Sequence, residues 1–297
     1  MKRAAVILGI LTFAVWGGAL TFGQTGQQGQ PATGKTSPAT PAPATPAPAQ
    51  PAGKRPPQAK TQPEFDAWKA ASANTDPAAL EKAADDFATK FPDSELRILL
   101  YKNAMRLYQK ANNAEKTEAM GRKVLALDGD DPEALNQVSE VISERTRDTD
   151  IDKDQRYDEA MKMAQKALQT VDTDVSVPAG TPQDKLDAYK AGLRSQAYST
   201  MGAVEYSRSN YPAAETNFQK AIDAYPSDPY ALDVLRLALS LDKQQKYPEA
   251  LKIANRAVDM TQDNTPIGTP ARRERDRLVQ LTGGTAPTPT PSQPPKN

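Results

Sequence analysis

The chain of 297 residues contains neither cysteine nor histidine. Without cysteine it can form no disulfide bond and no thiolate metal site, and no thiol follows the apolar start of the chain for lipid attachment. Without histidine, no serine or cysteine nucleophile can be activated by an imidazole, and no imidazole can bind a metal. Acid–base work by carboxylates or by a serine–lysine pair remains. Composition therefore favours a non-enzymatic protein.

Two groups of acidic residues have the spacing of a chemical site. Glu140 and Glu144 lie one helical turn apart, as paired catalytic acids would, but a solvated helix face gives the same spacing. Residues 148–154 carry acids at alternate positions, and Glu159 stands where a calcium loop has its last ligand. Lys153, however, stands where that loop needs glycine for its bend. We predict no catalytic residue, no metal site and no cofactor.

The first 23 residues have the pattern of a secretory signal peptide. A basic start at residues 1–3 is followed by an apolar run at 4–16 and then by small residues suited to cleavage. The alternative is an uncleaved anchor, because residues 4–22 just reach the length needed to span a bilayer. We expect an exported protein of the periplasm or cell envelope, either released or anchored to the inner membrane.

Residues 24–62 are rich in Gln, Gly, Pro, Ala and Thr. Such a segment cannot bury enough apolar surface to offset the entropy of ordering, so we predict a disordered spacer, and likewise a disordered Pro/Thr-rich tail at 283–297. Residues 29–36 fit the phosphate-loop pattern G-x-x-x-x-G-K-[ST]. That loop needs a strand before it and a helix after it, and Gln/Gly-rich and Pro-rich chain stands there instead. The match is a coincidence of composition.

The charges are divided unequally along the chain. Its 37 basic and 37 acidic residues cancel, but every acidic residue lies between Glu64 and Asp276. The repeat region has 30 of the basic residues and a net charge near −7, whereas the spacer carries +4. An acidic body argues against nucleic acid as the ligand, and the basic spacer favours an anionic membrane or wall surface.

Two short patterns recur in the body of the chain. Tyrosines at 157, 211 and 247 are each followed by an alanine three residues later and by further small or apolar residues at helical spacing. The phrase Asp-Pro-x-Ala-Leu stands at 76–80, 131–135 and 228–232. Its aspartate can accept a hydrogen bond from a free N–H at a helix start, and proline fits the first helical position. The patterns predict repeated helical hairpins.

These residues resemble the tetratricopeptide repeat (TPR) family, in particular exported TPR proteins of bacterial type. The family's unit is a helix–turn–helix of about 34 residues. Residues 195–228 match best, 231–264 lacks the closing proline, 132–171 carries an insertion and 63–92 is degenerate. The residues that carry the match are Tyr198, Met201, Gly202, Tyr211, Ala214, Phe218, Ala221 and Pro226 in the best unit, and Tyr247, Ala250, Ala254 and Ala257 in 231–264.

The resemblance implies an all-α fold, an α-solenoid of stacked TPR-like hairpins over residues 63–282. The helix-start signals predict about eleven helices, beginning near residues 63, 77, 94, 114, 132, 157, 182, 212, 229, 248 and 270. Residues 182–207 are predicted to form one long helix. Residues 270–281 are predicted to form a terminal cap over the last repeat.

In the family, the first helices of successive units line a groove that holds an extended peptide or a partner's helix. Lys102 and Arg106 could pair a carboxylate of such a ligand, or both could be solvated. Leu232, Leu235 and Leu239 pack in the core or form an exposed docking patch. By resemblance, the residues that face the groove are Lys102, Arg106, Asn136, Glu140, Ser199, Ala203 and Tyr206.

Three functions are compatible with these features. A non-enzymatic scaffold or adaptor in the bacterial cell envelope, binding a protein or peptide, accounts most economically for signal, spacer and repeats together. An accessory factor for outer-membrane or cell-wall assembly is the alternative, because residues 91–94 and 225–228 are similar to junctions common in periplasmic TPR proteins of that kind. A carboxylate-based enzyme acting on envelope polysaccharide is the third.

Overall fold

The computed structural model describes residues 54–178 and 180–283, and within them it contains eleven α-helices and no strand. The predicted signal segment, residues 24–53 of the predicted spacer and residues 284–297 of the predicted tail lie outside the described residues. The helices are α1 (Gln62–Ser72), α2 (Pro77–Lys90), α3 (Arg97–Lys110), α4 (Ala114–Leu127), α5 (Pro132–Arg145), α6 (Lys153–Thr170), α7 (Gln183–Ser207), α8 (Tyr211–Ala224), α9 (Ala231–Lys243), α10 (Tyr247–Asp259) and α11 (Gly268–Leu281).

The helices stack as hairpins, each made of a first and a second helix. Every helix contacts the next one along the chain, from α1 to α11. First helices of neighbouring hairpins also contact each other, at α1–α3, α5–α7 and α7–α9. Five hairpins result, and α11 packs on the last of them through Ala271 and Leu278. This is the predicted α-solenoid.

Most helix starts lie close to their predicted positions, and the aspartate caps explain two of them. Asp76 and Asp131 each accept a hydrogen bond from the backbone N–H three residues on, at 2.8 and 2.9 Å. The third motif, which begins at Asp228, does not cap its helix. Helix α9 begins at Ala231, and its cap residue Tyr230 makes no side-chain hydrogen bond. The start of α6 lies at Lys153, four residues earlier than predicted, since the end of the insertion is helical.

The turn inside three of the hairpins has a shared backbone conformation. Asn112, Ser209 and Gln245 have φ values of 57°, 61° and 61°, in the left-handed region. After each of them, the next residue donates its N–H to the carbonyl five residues earlier, at 2.9, 2.9 and 3.1 Å. These bonds close the last turn of each first helix. None of the three residues is glycine, so each turn carries the steric cost of a left-handed side chain.

Gln245→Gly is therefore expected to raise the free energy of unfolding by roughly 0.5–1 kcal/mol, because glycine adopts this conformation without a Cβ clash. Gln245 is exposed, so little packing is lost. Urea denaturation measures the change. Lys243→Gly, at an exposed helical position two residues earlier, is the matched control and should lower stability by about 0.5–1 kcal/mol. A Gln245→Gly variant no more stable than the wild type would contradict the strain argument.

Small residues bring the paired helices close together. Ala214, Ala221, Ala250, Ala254 and Ala257 are all 0% exposed. A Cβ on Gly202 of α7 would stand 2.7 Å from the ring of Phe218 on α8, so glycine is needed where the two helices meet. Of the other residues that carry the TPR resemblance, Tyr198, Met201, Tyr211 and Tyr247 are half-buried, and Pro226 is exposed just beyond the end of α8.

The three leucines of α9 belong to the core. Leu235 is buried, and Leu232 and Leu239 are partly buried against the same apolar cluster, which extends from α8 to α11. Of the two predicted alternatives for these leucines, core packing is therefore correct and an exposed docking patch is not. None of the helices in the described part of the chain is long and apolar enough to cross a membrane.

Candidate partner-binding groove

The seven residues predicted to face the groove lie on three consecutive first helices. Lys102 and Arg106 are on α3, Asn136 and Glu140 are on α5, and Ser199, Ala203 and Tyr206 are on α7. The structure places them in two groups with different surroundings. The group at α3 and the start of α5 is enclosed, and the group at the end of α5 and on α7 is open in part.

In the enclosed group, Lys102 and Arg106 form ion pairs with the next hairpin. Lys102 is buried, with its Nζ 2.7 Å from Asp131 Oδ2 and 3.1 Å from Glu133 Oε2. Arg106 donates from Nε and Nη2 to the two carboxylate oxygens of Glu133, at 2.6 and 2.7 Å. Tyr189 of α7 donates its hydroxyl to Glu133 at 2.9 Å. The alternative that both basic residues are solvated is wrong for Lys102, and their charges are already matched within the chain.

Electrostatics favour the charged forms of Glu133 and Lys102. Burial by itself would raise the pKa of Glu133, but the adjacent Arg106 and Lys102 outweigh it and hold that pKa well below its usual range. Burial would lower the pKa of Lys102, but Glu133 and Asp131 raise it above its usual value. Burial and the neighbouring Glu133 raise the pKa of Tyr189, so its hydroxyl stays protonated. The result is a buried ionic cluster that joins α3, α5 and α7.

The start of α5 is covered by the long helix α7. Residues 132–139 of α5 are all buried, and Asn136 is 0% exposed. Its Nδ2 donates to the carbonyl of Leu193 at 2.8 Å. The first turns of α7 are held there by Leu186 and Leu193, which pack against Val171 and Val175. Asn136 therefore cannot contact a ligand in this structure, and the expectation that it lines an open groove needs correction.

The open group is formed by the end of α5, the second half of α7 and the start of α9. Glu140 is half-buried and accepts a hydrogen bond from Gln196 Nε2 at 2.7 Å. Ser199 donates its hydroxyl to Asp233 of α9. Ala203 and Tyr206 are both half-buried. Four of the predicted groove residues thus lie on a surface that a partner can reach, here called the α5/α7/α9 face.

The α5/α7/α9 face carries charge that the rest of the described chain does not match. Within residues 54–178 and 180–283, Glu140, Glu144, Asp233 and Arg236 take part in no ion pair within 4.0 Å. Asp233 is only 1% exposed, and the hydroxyl of Ser199 is its one hydrogen-bond donor among the described side chains. Three acids against one base leave the face acidic whenever the carboxylates are ionised.

Burial shifts the pKa values on this face upward. Burial, and then the neighbouring Glu144, raise the pKa of Glu140 to about 7. Burial raises the pKa of Asp233 to about 6, against the lowering effect of Ser199 and Arg236. Burial and the nearby Glu140 raise the pKa of Tyr230 to about 12. The two carboxyl groups therefore change charge in the range from pH 5 to 8.

Stability should fall as pH rises across this range. A carboxyl whose pKa is higher in the folded chain than in the unfolded chain favours folding while it is protonated in the folded chain, and this contribution disappears as pH passes the folded pKa. For Asp233 the window runs from about pH 4 to pH 6, and for Glu140 from about pH 4.5 to pH 7. We expect Asp233→Asn to be more stable than the wild type by roughly 1–2 kcal/mol at pH 8 and no more stable at pH 4.

Denaturation of both proteins at pH 4, 6 and 8 checks this prediction. Asparagine keeps an acceptor for the hydroxyl of Ser199, so the variant changes charge and little else. Asp223→Asn on α8, at an exposed position, is the control and should show no such pH dependence. A constant difference between Asp233→Asn and the wild type at all three pH values would contradict the assignment.

The repeated Asp-Pro-x-Ala-Leu phrase contains a signal for Asp233. Asp131 and Asp228 begin the same phrase, so the residue five positions after each occupies the same place in the repeat. Those residues are Asn136 and Asp233, and Asn136 was among the groove predictions. The role of Tyr189 had no comparable signal, because it depends on where the long helix crosses α5.

Comparisons with known proteins identify the fold. No protein-family profile and no curated protein sequence matches the chain. Among solved structures, pilF of Pseudomonas aeruginosa is 17% identical over 75% of this chain and 87% of its own, with a TM-score of 0.51. MamA is 15% identical over 76% of this chain and 96% of its own, with a TM-score of 0.46. YrrB, described as a TPR protein with an unusual peptide-binding site, is 17% identical over 67% and 85%, with a TM-score of 0.40. The chain has a TPR-like solenoid fold.

Proposed function

We propose that this protein is a non-enzymatic scaffold that binds a protein or peptide on the α5/α7/α9 face. One observation carries the proposal. The charged side chains at the start of the groove are matched by one another, whereas Glu140, Glu144 and Asp233 form no ion pair within 4.0 Å in the described residues, with Arg236 as a base nearby. Groups that bear unmatched charge on a half-buried surface gain most from a partner of opposite charge. The partner is therefore expected to present a lysine, an arginine or a free amine here.

Two tyrosines of the α5/α7/α9 face suit a polypeptide partner. Tyr206 and Tyr230 are half-buried, and Tyr206 packs edge-on to Tyr211 with ring centroids 5.3 Å apart. Half-exposed tyrosines offer contact area and a hydroxyl at low entropic cost. The TPR-like fold is compatible with this use, because stacked repeats present extended binding surfaces.

Site-specific photo-crosslinking tests the proposal. A photoreactive amino acid at Ala203 is expected to give a discrete protein adduct in envelope extracts. The same group at Gln219, exposed on α8, is expected to give none. Glu140→Gln combined with Glu144→Gln should weaken the adduct several-fold, and Glu249→Gln on α10 should not. Equal adducts from positions 203 and 219, or no response to the double substitution, would reject the α5/α7/α9 face as the binding surface.

The cellular setting is part of the proposal. The signal-like residues 1–23 support export to the periplasm or cell envelope, with anchoring to the inner membrane as the alternative. Fractionation with mass determination of the mature chain distinguishes the two. If outer-membrane or wall-assembly proteins are the ones captured at position 203, the accessory-factor alternative is favoured over a general adaptor.

The pKa of Glu140 is the one observation that favours a carboxylate enzyme as a second candidate. A carboxyl with a pKa near 7 can serve as a general acid, and Glu144 lies one turn away. Surface clefts of about 380 and 530 Å³ lie along α6 and between α8 and α10, and neither includes these residues. Turnover of wall fragments that is lost in Glu140→Gln would establish the enzyme, and its absence would leave the scaffold.

A further inference from the structure

The eight residues before α1 lie along the repeats instead of leading away from them. Lys60 donates from Nζ to the carbonyl of Asp93 at 2.8 Å. Arg55 donates to both carboxylate oxygens of Glu95, at 2.8 and 2.9 Å. The Nζ of Lys54 lies 2.6 Å from Oδ2 of Asp128 and 3.6 Å from Oδ1 of Asp174. Its backbone N–H also donates to the carbonyl of Val175 at 3.1 Å.

The partners of this segment share one structural role. Asp93 and Glu95 lie in the connection between α2 and α3, Asp128 between α4 and α5, and Asp174 and Val175 between α6 and α7. Each connection joins the second helix of one hairpin to the first helix of the next. Residues 54–61 therefore touch three successive junctions between hairpins. Residue 54 lies at the junction of the third and fourth hairpins, and not beside the first.

The length of the segment fits this path. Lys60 is six residue steps from Lys54, and an extended chain covers at most about 3.3–3.6 Å per step, or about 20 Å. Neighbouring packed helices lie about 8–10 Å apart, so the path from the first to the third junction, two hairpins along the stack, also measures about 20 Å. Pro56 and Pro57 favour the extended form and bring no N–H that would need a partner. An extended segment of this length can therefore reach from its first contact to its last.

Charge holds the segment in place. Three of the four basic residues of the predicted spacer lie in it, and each contacts a carboxylate or a carbonyl of the acidic repeats. The hydrogen bond from Arg55 lowers the pKa of Glu95, with the backbone N–H of Gln58 as its second donor. These pairs are largely exposed, with 42–62% of the basic side chains Lys54 and Arg55 accessible, so salt should weaken them.

We propose that residues 54–61 form an electrostatic strap that clamps the junctions of the first four hairpins together and opens when its basic residues lose their carboxylate partners. In the closed state the strap positions residue 54 about two hairpins away from the start of α1. In the open state residue 54 is released from the third junction and can lie anywhere within about 20 Å of Lys60. The strap thus couples the ionic environment to the place at which the preceding chain leaves the repeats.

Hydrogen exchange of the full chain tests the strap, with peptides covering residues 54–61 and the α6–α7 connection as reporters. Lys54→Glu places a third acid beside Asp128 and Asp174. We expect exchange in both peptides to become about tenfold faster at low salt. Exchange of the wild type should accelerate in the same peptides on going from 20 mM to 1 M NaCl. Asp128→Lys is expected to open the strap as Lys54→Glu does.

Combining Lys54→Glu with Asp128→Lys restores opposite charges and should return exchange to within about twofold of the wild type. Lys82→Glu, which disrupts an exposed pair on α2, is the control and should leave both peptides unchanged. Exchange that responds to neither charge reversal nor salt would overturn the proposal. Fast exchange in the charge-swapped double variant would overturn it too, because a merely structural contact would be damaged twice and not restored.

Discussion

Glu133→Gln is expected to lower the free energy of unfolding by about 3–5 kcal/mol. Glu133 accepts hydrogen bonds from Arg106 and Tyr189 and lies 3.1 Å from the Nζ of Lys102. The amide keeps the shape of the side chain but removes the charge. Lys102 then keeps Asp131 as a partner, whereas Arg106 loses its one carboxylate partner within the described residues. A buried cation that loses its partner costs much more than the original pair contributed.

Urea denaturation at pH 7 measures this loss. Asp86→Asn is the matched control, since Asp86 pairs with Lys82 on an exposed helix face and its loss should cost under about 0.5 kcal/mol. The pKa of Glu133 is depressed, so its contribution is present above the unfolded pKa of about 4.3 and is lost as pH falls below it. The difference between variant and wild type should therefore shrink below about pH 4. A loss of under 1 kcal/mol at pH 7 would mean that the cations relax to solvent.

The same cluster constrains how binding can be tested. Reversing the charges of Lys102 and Arg106 would place carboxylates against Asp131 and Glu133. A loss of binding in that variant would report unfolding and not the removal of a ligand contact. Glu140 and Glu144 are better probes of the groove, because no ion pair of the described chain depends on them.

Phe218→Ala is expected to lower the free energy of unfolding by about 3–5 kcal/mol. The ring is 0% exposed and lies between α7 and α8 with its edge against Gly202. Truncation leaves a cavity that the neighbouring helices can fill only in part. Phe65→Ala, at a position 38% exposed on α1, is the control and should cost under about 1.5 kcal/mol. Thermal or urea unfolding measures both.

Gly202→Ala examines the same contact from the opposite helix. Its Cβ would stand 2.7 Å from two ring atoms of Phe218, so helix α7 or the ring must move. We expect a loss of about 1–3 kcal/mol from overpacking. In the double variant Gly202→Ala with Phe218→Leu, the leucine is shorter than phenylalanine and makes room for the new methyl group. The loss of stability in the double variant should therefore be smaller than the sum of the losses in the two single variants. Strict additivity of the two substitutions would contradict direct packing of Gly202 on Phe218.

The sequence alone determined the repeat architecture. The spacing of alanines and aromatics, with the Asp-Pro starts, predicted eleven helices and most of their positions, because helical periodicity and capping are local properties of the chain. Asp76 and Asp131 cap their helices as their motifs predict. For the α9 leucines, the sequence left two alternatives open, the core and an exposed docking patch. The structure shows that they pack in the apolar core formed by α8 to α11.

Only the tertiary structure decided which groove residues are free. Whether Lys102 meets a ligand or an internal carboxylate depends on Asp131 and Glu133, which are 29 and 31 residues further along the chain. Whether Asn136 is open depends on α7, whose first turns cover α5. The strap of residues 54–61 is a third case, since low complexity predicted a spacer while three distant junctions supply its partners. Periodicity is a property of neighbours in sequence, but the pairing of charges is a property of distances between helices that the sequence does not state.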